Sequence, residues 1–165
     1  MSPLGVYAQS KAAGDVAVAT APRHYLVRTS WVVGEGRNFV RTMLDLANKG
    51  VSPAVVDDQI GRLTFTAELA RATRHLVETE AEPGTYNVTN GGEPMSWFDV
   101  AARVFELAGR APTDVSRTST VAYSAGKDLA PRPANSILDL GKIQSTGFRP
   151  EPADIALSRF VCPAD

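Results

Sequence analysis

Tyr7 and Lys11 stand one helical turn apart, and they are the first residues in the chain with a chemistry to offer. Residues four apart on a helix share a face, so the phenol and the ammonium can point at the same object. An ordinary phenol, with a pKa of about 10, holds its proton too tightly to exchange it readily at neutral pH. A fixed cation nearby favours the phenolate and brings that exchange within reach. The pair is therefore a candidate general acid for a carbonyl oxygen that is becoming an alcohol. The same spacing also suits a solvated helix face with a partly buried ring, and the pair alone leaves both readings open.

Further along lie other residues with possible roles. Arg28, Thr29 and Ser30 interrupt a dense apolar run and would need partners if buried. Trp31 follows them and reads from the local pattern as core. Gly34-Glu35-Gly36-Arg37-Asn38-Phe39 follows a strand, precedes a helix and has Asp57 and Asp58 downstream, so it imitates a dinucleotide fingerprint. It fails at the third glycine, which lets helix and strand pack closely, because Phe39 stands there. Asn38 is instead a good helix N-cap, and the helix start behind it could still receive a phosphate or a polar base edge. Arg62 could grip a diphosphate bidentately or simply pair with Asp57 or Asp58. Those two adjacent carboxylates, with no further ligand pattern, do not make a metal site.

The elements that must position these residues follow from periodicity and punctuation. A helix is expected over Tyr7–Thr20, alanine-rich on one side and so suited to packing on something flat. His24–Val33 reads as a strand buried on both faces. Helices follow over Phe39–Asn48, with Phe39, Met43, Leu44 and Ala47 inward, and from Thr66, as its cap, to Glu78. Short strands are expected at Ala54–Val56 and Thr85–Val88. Ser96 caps a helix over Trp97–Ala108, with Asp99 in the capping-box position. Val115 marks a further strand, Ser116–Ala130 turns and a short helix, Asp139 the cap of another, and Pro152–Val161 a terminal helix.

The totals exclude several classes. A chain of 165 residues is long enough for its own core. Its formal net charge of −1 gives no basic excess to attract nucleic acid or an anionic membrane. Cys162 is the only cysteine, which rules out an internal disulfide and a thiolate metal site. No apolar run reaches bilayer length, and the first residues do not form a secretory signal. A cytoplasmic location is the default expectation.

Taken in order, Val6 to Asp15, Arg28 to Val32, Asn38 to Val40, Val56 to Arg62, Tyr86 to Val88 and Arg132 to Ser136 resemble the later half of the dTDP-4-dehydrorhamnose reductase family. That family lies within the extended short-chain dehydrogenase/reductase superfamily. Tyr-x-x-x-Lys marks the superfamily, while Arg-Thr-Ser-Trp and Asp-Asp-Gln-x-Gly-Arg are much more specific. The resemblance implies an enzyme that reduces the 4-keto group to give dTDP-L-rhamnose, using NADPH, with NADH as the alternative nicotinamide. It implies Tyr7 as proton donor to the sugar C4 oxygen. Lys11 would favour the ionised phenol and hold the nicotinamide ribose, so both residues would be catalytic and cofactor-binding. Trp31 would contact the sugar nucleotide and Arg62 the diphosphate. Asn38 and Phe39 would help hold the nucleotide, and Arg132 and Asn135 would shape the pocket. Some members use magnesium on dimerising, although no ligand set for it is legible here.

The fold class implied is α/β: a partial Rossmann-type sheet edge over residues 1–33, then a smaller mixed α/β substrate-binding domain over 34–165. In the family a cofactor domain with the glycine fingerprint precedes the tyrosine, as does the Ser/Thr that polarises the ketone. Neither is in this sequence, so the 165-residue chain alone is expected to have little or no reductase activity. The flank left uncovered should be apolar, favouring self-association or a chain that supplies the Rossmann half. The family often has Tyr where Val33 stands and Pro where Leu63 stands, changes that bear on pocket polarity and on the loop before Arg62. Two other readings are a non-catalytic nucleotide-sugar-binding or regulatory subunit of the same ancestry, which would have no need of the Tyr7–Lys11 pair, and another sugar-nucleotide reductase or epimerase, against which Arg28 to Trp31 argues.

Overall fold

The computed structural model describes residues 3–163. Helix α1 (Val6–Val18) is followed by strands β1 (Tyr25–Arg28) and β2 (Val32–Val33), helix α2 (Phe39–Asn48), and strands β3 (Ala54–Val56), β4 (Ile60–Gly61) and β5 (Thr64–Phe65). Then come helix α3 (Thr66–Glu78), strands β6 (Gly84–Asn87) and β7 (Met95–Ser96), helix α4 (Trp97–Leu107), strand β8 (Ser116–Thr118) and helices α5 (Thr120–Ser124), α6 (Gly141–Ser145) and α7 (Ala153–Val161).

The long helices form where their caps and stripes dictate. Asn38 caps α2 by accepting from the Arg41 N–H, and the buried stripe is Val40, Met43 and Ala47. Phe39 and Leu44, expected inside, are only partly buried at the edge of the same core. Ser96 and Asp99 form the reciprocal capping box of α4, whose Val100, Ala101, Val104 and Phe105 are buried. The α3 span matches its sequence pattern, although Phe65 rather than Thr66 is its N-cap. Asp139 accepts from the Gly141 N–H at the start of α6, where Leu140 is the cap residue.

One expectation fails in an informative way. His24–Val33 is not a single strand buried on both faces. The chain leaves β1 at Arg28 and resumes as β2 at Val32, and Trp31 between them has φ +47°. A bulky residue in the left-handed region redirects the backbone, so the two strands join different sheets. Strand β1 pairs in parallel with β6, Tyr25 opposite Gly84 through Arg28 opposite Asn87. Strand β2 pairs in parallel with β5, and β3 with β8, while β4 and β7 are antiparallel with Gly61 opposite Met95.

Two apolar cores result. The larger gathers α2, α4, α7 and the strands between them around Val40, Val100, Val104, Phe105 and Leu157. The smaller gathers Ala72 and Leu76 of α3, Tyr86, Val88, Ile143 and Phe148, with Tyr25 and Val27 packed against it. The β1–β6 pair therefore joins residues on both sides of position 33. Burial pushes the Tyr86 phenol above its ordinary pKa and so disfavours its ionisation, with Tyr25 and Glu82 adding to the effect. Helix α1 contributes no buried residue to either core. Among the described residues no helix is long and apolar enough to cross a membrane.

Candidate functional site

The Arg28-Thr29-Ser30 interruption and the loop from Ile60 to Thr64 are sewn to each other. The Thr64 N–H donates to the Trp31 carbonyl at 3.0 Å. The Thr64 hydroxyl donates to the Ser30 carbonyl at 2.5 Å and accepts from the Thr29 hydroxyl at 3.0 Å. The Ser30 hydroxyl donates to the Arg62 carbonyl at 3.2 Å. Thr64 is fully buried, so these bonds satisfy polar groups that would otherwise carry a desolvation cost. The polar residues that break the apolar run thus fix Trp31 and Arg62 side by side in the chain's layout.

Trp31 is partly buried and stacks on Trp97, with ring centroids 3.8 Å apart and planes inclined by 15°. Phe39 leans on Trp97 from the first turn of α2, at 4.5 Å and 55°. Asn38, beside it, is occupied: its amide donates to the Gly34 and Gly36 carbonyls at 2.8 and 3.2 Å, and its oxygen accepts from Arg41. The Gly34–Gly36 stretch therefore serves a capped helix start, with Phe39 at the position of the third glycine. Gly34 has a packing reason of its own, because a Cβ there would lie 2.6 Å from Cγ2 of Thr66.

Arg62 does not pair with Asp57 or Asp58. Its Nε donates to the Gly92 carbonyl at 2.9 Å and a terminal nitrogen to the Leu138 carbonyl at 3.1 Å. Among the described residues no carboxylate forms a salt bridge with it. Asp57 pairs with Arg117 at 3.4 Å. Asp58 accepts from both the N–H and the hydroxyl of Thr120, which hold its carboxyl below the usual carboxylate range. Arg62 lines a cavity of about 570 Å³ together with Gly91, Gly92, Asn135, Ile137 and Asp139. Asn135 is held there by a bridge to Ile60, and its side chain accepts from the Ile137 N–H. Arg132 is exposed. A second cavity of about 470 Å³ runs along α2 between Arg37, Arg41 and Lys49 and contains none of Trp31, Asn38, Phe39 or Arg62.

Tyr7 and Lys11 occupy the exposed face of α1, with Tyr7 78% exposed. Among the described residues they make no ion pair or ring contact with Trp31 or Arg62, and they line neither cavity. What orients them is the next residue on their stripe. Asp15, four beyond Lys11, takes Nε of Arg28 at 2.8 Å and a terminal nitrogen at 2.7 Å. Arg28 ends β1, so this pair ties the rotation of α1 to the sheet that leads to Trp31. Among the described residues no group of three or more His, Cys, Asp or Glu side chains gathers to hold a metal ion.

The family model of the RmlD substrate binding domain matches residues 1–164. The chain belongs to this family. Among relatives of this RmlD substrate-binding domain, a dTDP-4-dehydrorhamnose reductase of Aggregatibacter actinomycetemcomitans is 40% identical over 162 residues, covering 92% of this chain and 54% of its own. The spore coat polysaccharide biosynthesis protein SpsK of Bacillus subtilis is 36% identical over 163 residues, covering 98% of this chain and 55% of its own. The crystal structure of a dTDP-4-dehydrorhamnose reductase from Bacillus anthracis in complex with NADP superposes with a TM-score of 0.87 at 35% identity, over 99% of this chain and 57% of that one. The chain spans about half the length of the curated relatives it matches. The likeness establishes the fold class as α/β of the Rossmann-like type shared by these reductases.

Sequence reasoning about this RmlD domain missed two contributors. Trp97 reads as an ordinary first helical residue after its cap, and nothing local marks it as the ring on which Trp31 stacks. Gly61 is visible as part of Asp-Asp-Gln-x-Gly-Arg, but its reason is spatial: a Cβ there would lie 2.7 Å from Cε2 of Trp31.

Proposed function

We propose that this chain is the substrate-binding half of a dTDP-4-dehydrorhamnose reductase, the enzyme that reduces the 4-keto group of a dTDP-sugar to give dTDP-L-rhamnose. The observation that carries the reading is Arg62, a cation held by two backbone carbonyls at the wall of a cavity, with no carboxylate bridging it among the described residues. A fixed guanidinium beside the glycine backbone of Gly91 and Gly92 suits a diphosphate, which it can meet in a bidentate fork. Trp31 lies next to it in the tied loop and meets the sugar, and Asn38 and Phe39 border the nucleotide end.

Tyr7 donates the proton to the C4 oxygen, and Lys11 supplies positive charge one turn away and holds the nicotinamide ribose. NADPH, when bound, supplies the hydride. The residues of this chain fit only the nicotinamide end of that cofactor, because Asn38 and Phe39 turn the Gly34–Gly36 stretch into a helix cap rather than a phosphate cradle. A Rossmann-type unit has to complete the site, and the exposed apolar side chains Val6, Val16 and Val18 of α1 are the surface offered to it or to a second copy.

Separate calorimetric titrations with a dTDP-sugar and with NADPH test the reading. Heat with the sugar nucleotide and little with NADPH is the expected result, together with negligible NADPH oxidation by the chain alone. Silence to the sugar nucleotide overturns the proposal and leaves an interaction module of the same ancestry.

A further inference from the structure

We infer that Trp97 and Gly61 are positioning residues that clamp the Trp31 indole, so that a sugar nucleotide meets its N–H edge rather than its ring face. The inference rests on the reading of the chain as a dTDP-sugar binder. A Cβ on Gly61 would lie 2.7 Å from Cε2 of Trp31, 2.9 Å from Cζ2 and 3.1 Å from Cδ2. Cε2 is bonded to three ring atoms, so anything nearest to it approaches over a face of the ring. The Gly61 backbone therefore lies against one face. Trp97, nearly parallel at 3.8 Å, fills the other, since a ring at that spacing leaves no room for a backbone between the planes. Both faces of Trp31 are taken before any ligand arrives.

The edge remains. The Trp31 indole N–H donates to no acceptor among the described residues, and no fully buried side-chain nitrogen or oxygen among them lacks a partner, so this N–H is not fully buried and its donor is unspent. The backbone supports the same view. Trp31 has φ +47°, and the Thr64 N–H holds its carbonyl in that conformation at 3.0 Å. A tryptophan in the left-handed region is strained, and the surrounding bonds and the clamp over-determine it. An indole fixed in this way presents one directional donor, which suits a sugar hydroxyl or ketone oxygen better than a thymine ring seeking a stacking partner.

Trp31 and Trp97 are the only tryptophans in the chain, so its indole spectroscopy reports on this pair alone. Near-parallel indoles couple excitonically in circular dichroism, which measures the clamp without any ligand. The couplet is expected in the wild-type chain and is expected to vanish in Trp97→Leu. It is expected to weaken in Gly61→Ala, where the added methyl has to push the ring aside. Calorimetry with two probes, dTDP-glucose and dTDP, then separates positioning from folding. In Trp97→Leu the affinity for dTDP-glucose is expected to fall about 3- to 10-fold while that for dTDP stays within about twofold. The Trp31 indole N–H resonance is expected to move with dTDP-glucose and much less with dTDP.

Equal losses for both probes, an unchanged dTDP-glucose affinity, or an unmoved indole resonance in a chain that does bind dTDP-glucose overturns this inference alone. Failure of the wild-type chain to bind either probe overturns the functional reading as well. Far-ultraviolet dichroism checks folding, and Gly61→Ala carries the same comparison if Trp97→Leu does not fold.

Discussion

Asp15→Asn should loosen helix α1 from the rest of the chain. The helix has 13 residues, none of them buried, and an isolated helix of that length is marginal in water. Its side-chain link to the sheet among the described residues is the Asp15–Arg28 pair, with both guanidinium contacts, at 2.7 and 2.8 Å, made to the same carboxylate oxygen. Both groups are partly exposed, so solvent screens the attraction. A pair of this kind contributes about 1 kcal/mol or less, roughly a fivefold change in the docked fraction at most. The assay is amide hydrogen exchange over residues 6–18, read against α4, whose buried face anchors the larger core. Asparagine removes the charge while keeping the shape. The expected result is exchange a few-fold faster along α1 and unchanged along α4. Equal exchange in α1 of the two proteins would refute the claim that this ion pair orients the Tyr7–Lys11 stripe.

Two further outcomes follow from local chemistry. Asn38→Ala removes the acceptor for the Arg41 N–H and the donor to the Gly34 and Gly36 carbonyls, so thermal or urea unfolding should show a loss of about 1 kcal/mol, at most about 2. An unchanged midpoint would contradict the capping role. Asp58, held below the usual carboxylate range by the Thr120 hydroxyl and N–H, gives a pH signature. A depressed folded pKa means that its contribution is present above the unfolded carboxylate pKa of about 3.9 and is lost as pH falls through the lower folded value. The difference in melting temperature between the wild-type chain and Asp58→Asn should therefore be visible near neutrality and shrink below about pH 4. A difference that grows on acidification would reverse the assignment.

The parts of the fold that could be read in the sequence are those set by local chemistry. The spans of α2, α3 and α4 follow from a 3.6-residue apolar period with an Asn or Ser at the start of two of them and Gly50 and Gly109 just past the ends, both at positive φ. The break between β1 and β2 was not legible. Tyr25 to Val33 carries the composition of one strand, and only the long-range bonds from Thr64 reveal why Trp31 turns left-handed. The same limit applies to the site. Arg62 could be picked out as a diphosphate candidate, but its competitors Asp57 and Asp58 are drawn away by Arg117 and Thr120, some sixty residues distant in sequence. Helix α1 offers the opposite case. Its alanine-rich side predicts a flat packing surface, yet no residue of the helix is fully buried among the described contacts.

In the proposed function, Arg62 and the glycine backbone around it form a seat for the diphosphate of a dTDP-sugar. The direct measurement is calorimetric titration of dTDP, with thymidine as a phosphate-free control, into the wild-type chain and Arg62→Ala. A charge-assisted fork is worth about 1.5–3 kcal/mol, so dTDP affinity should fall at least tenfold in Arg62→Ala while the response to thymidine does not change. Equal dTDP affinity in the two proteins, or a parallel loss for thymidine, would contradict the account.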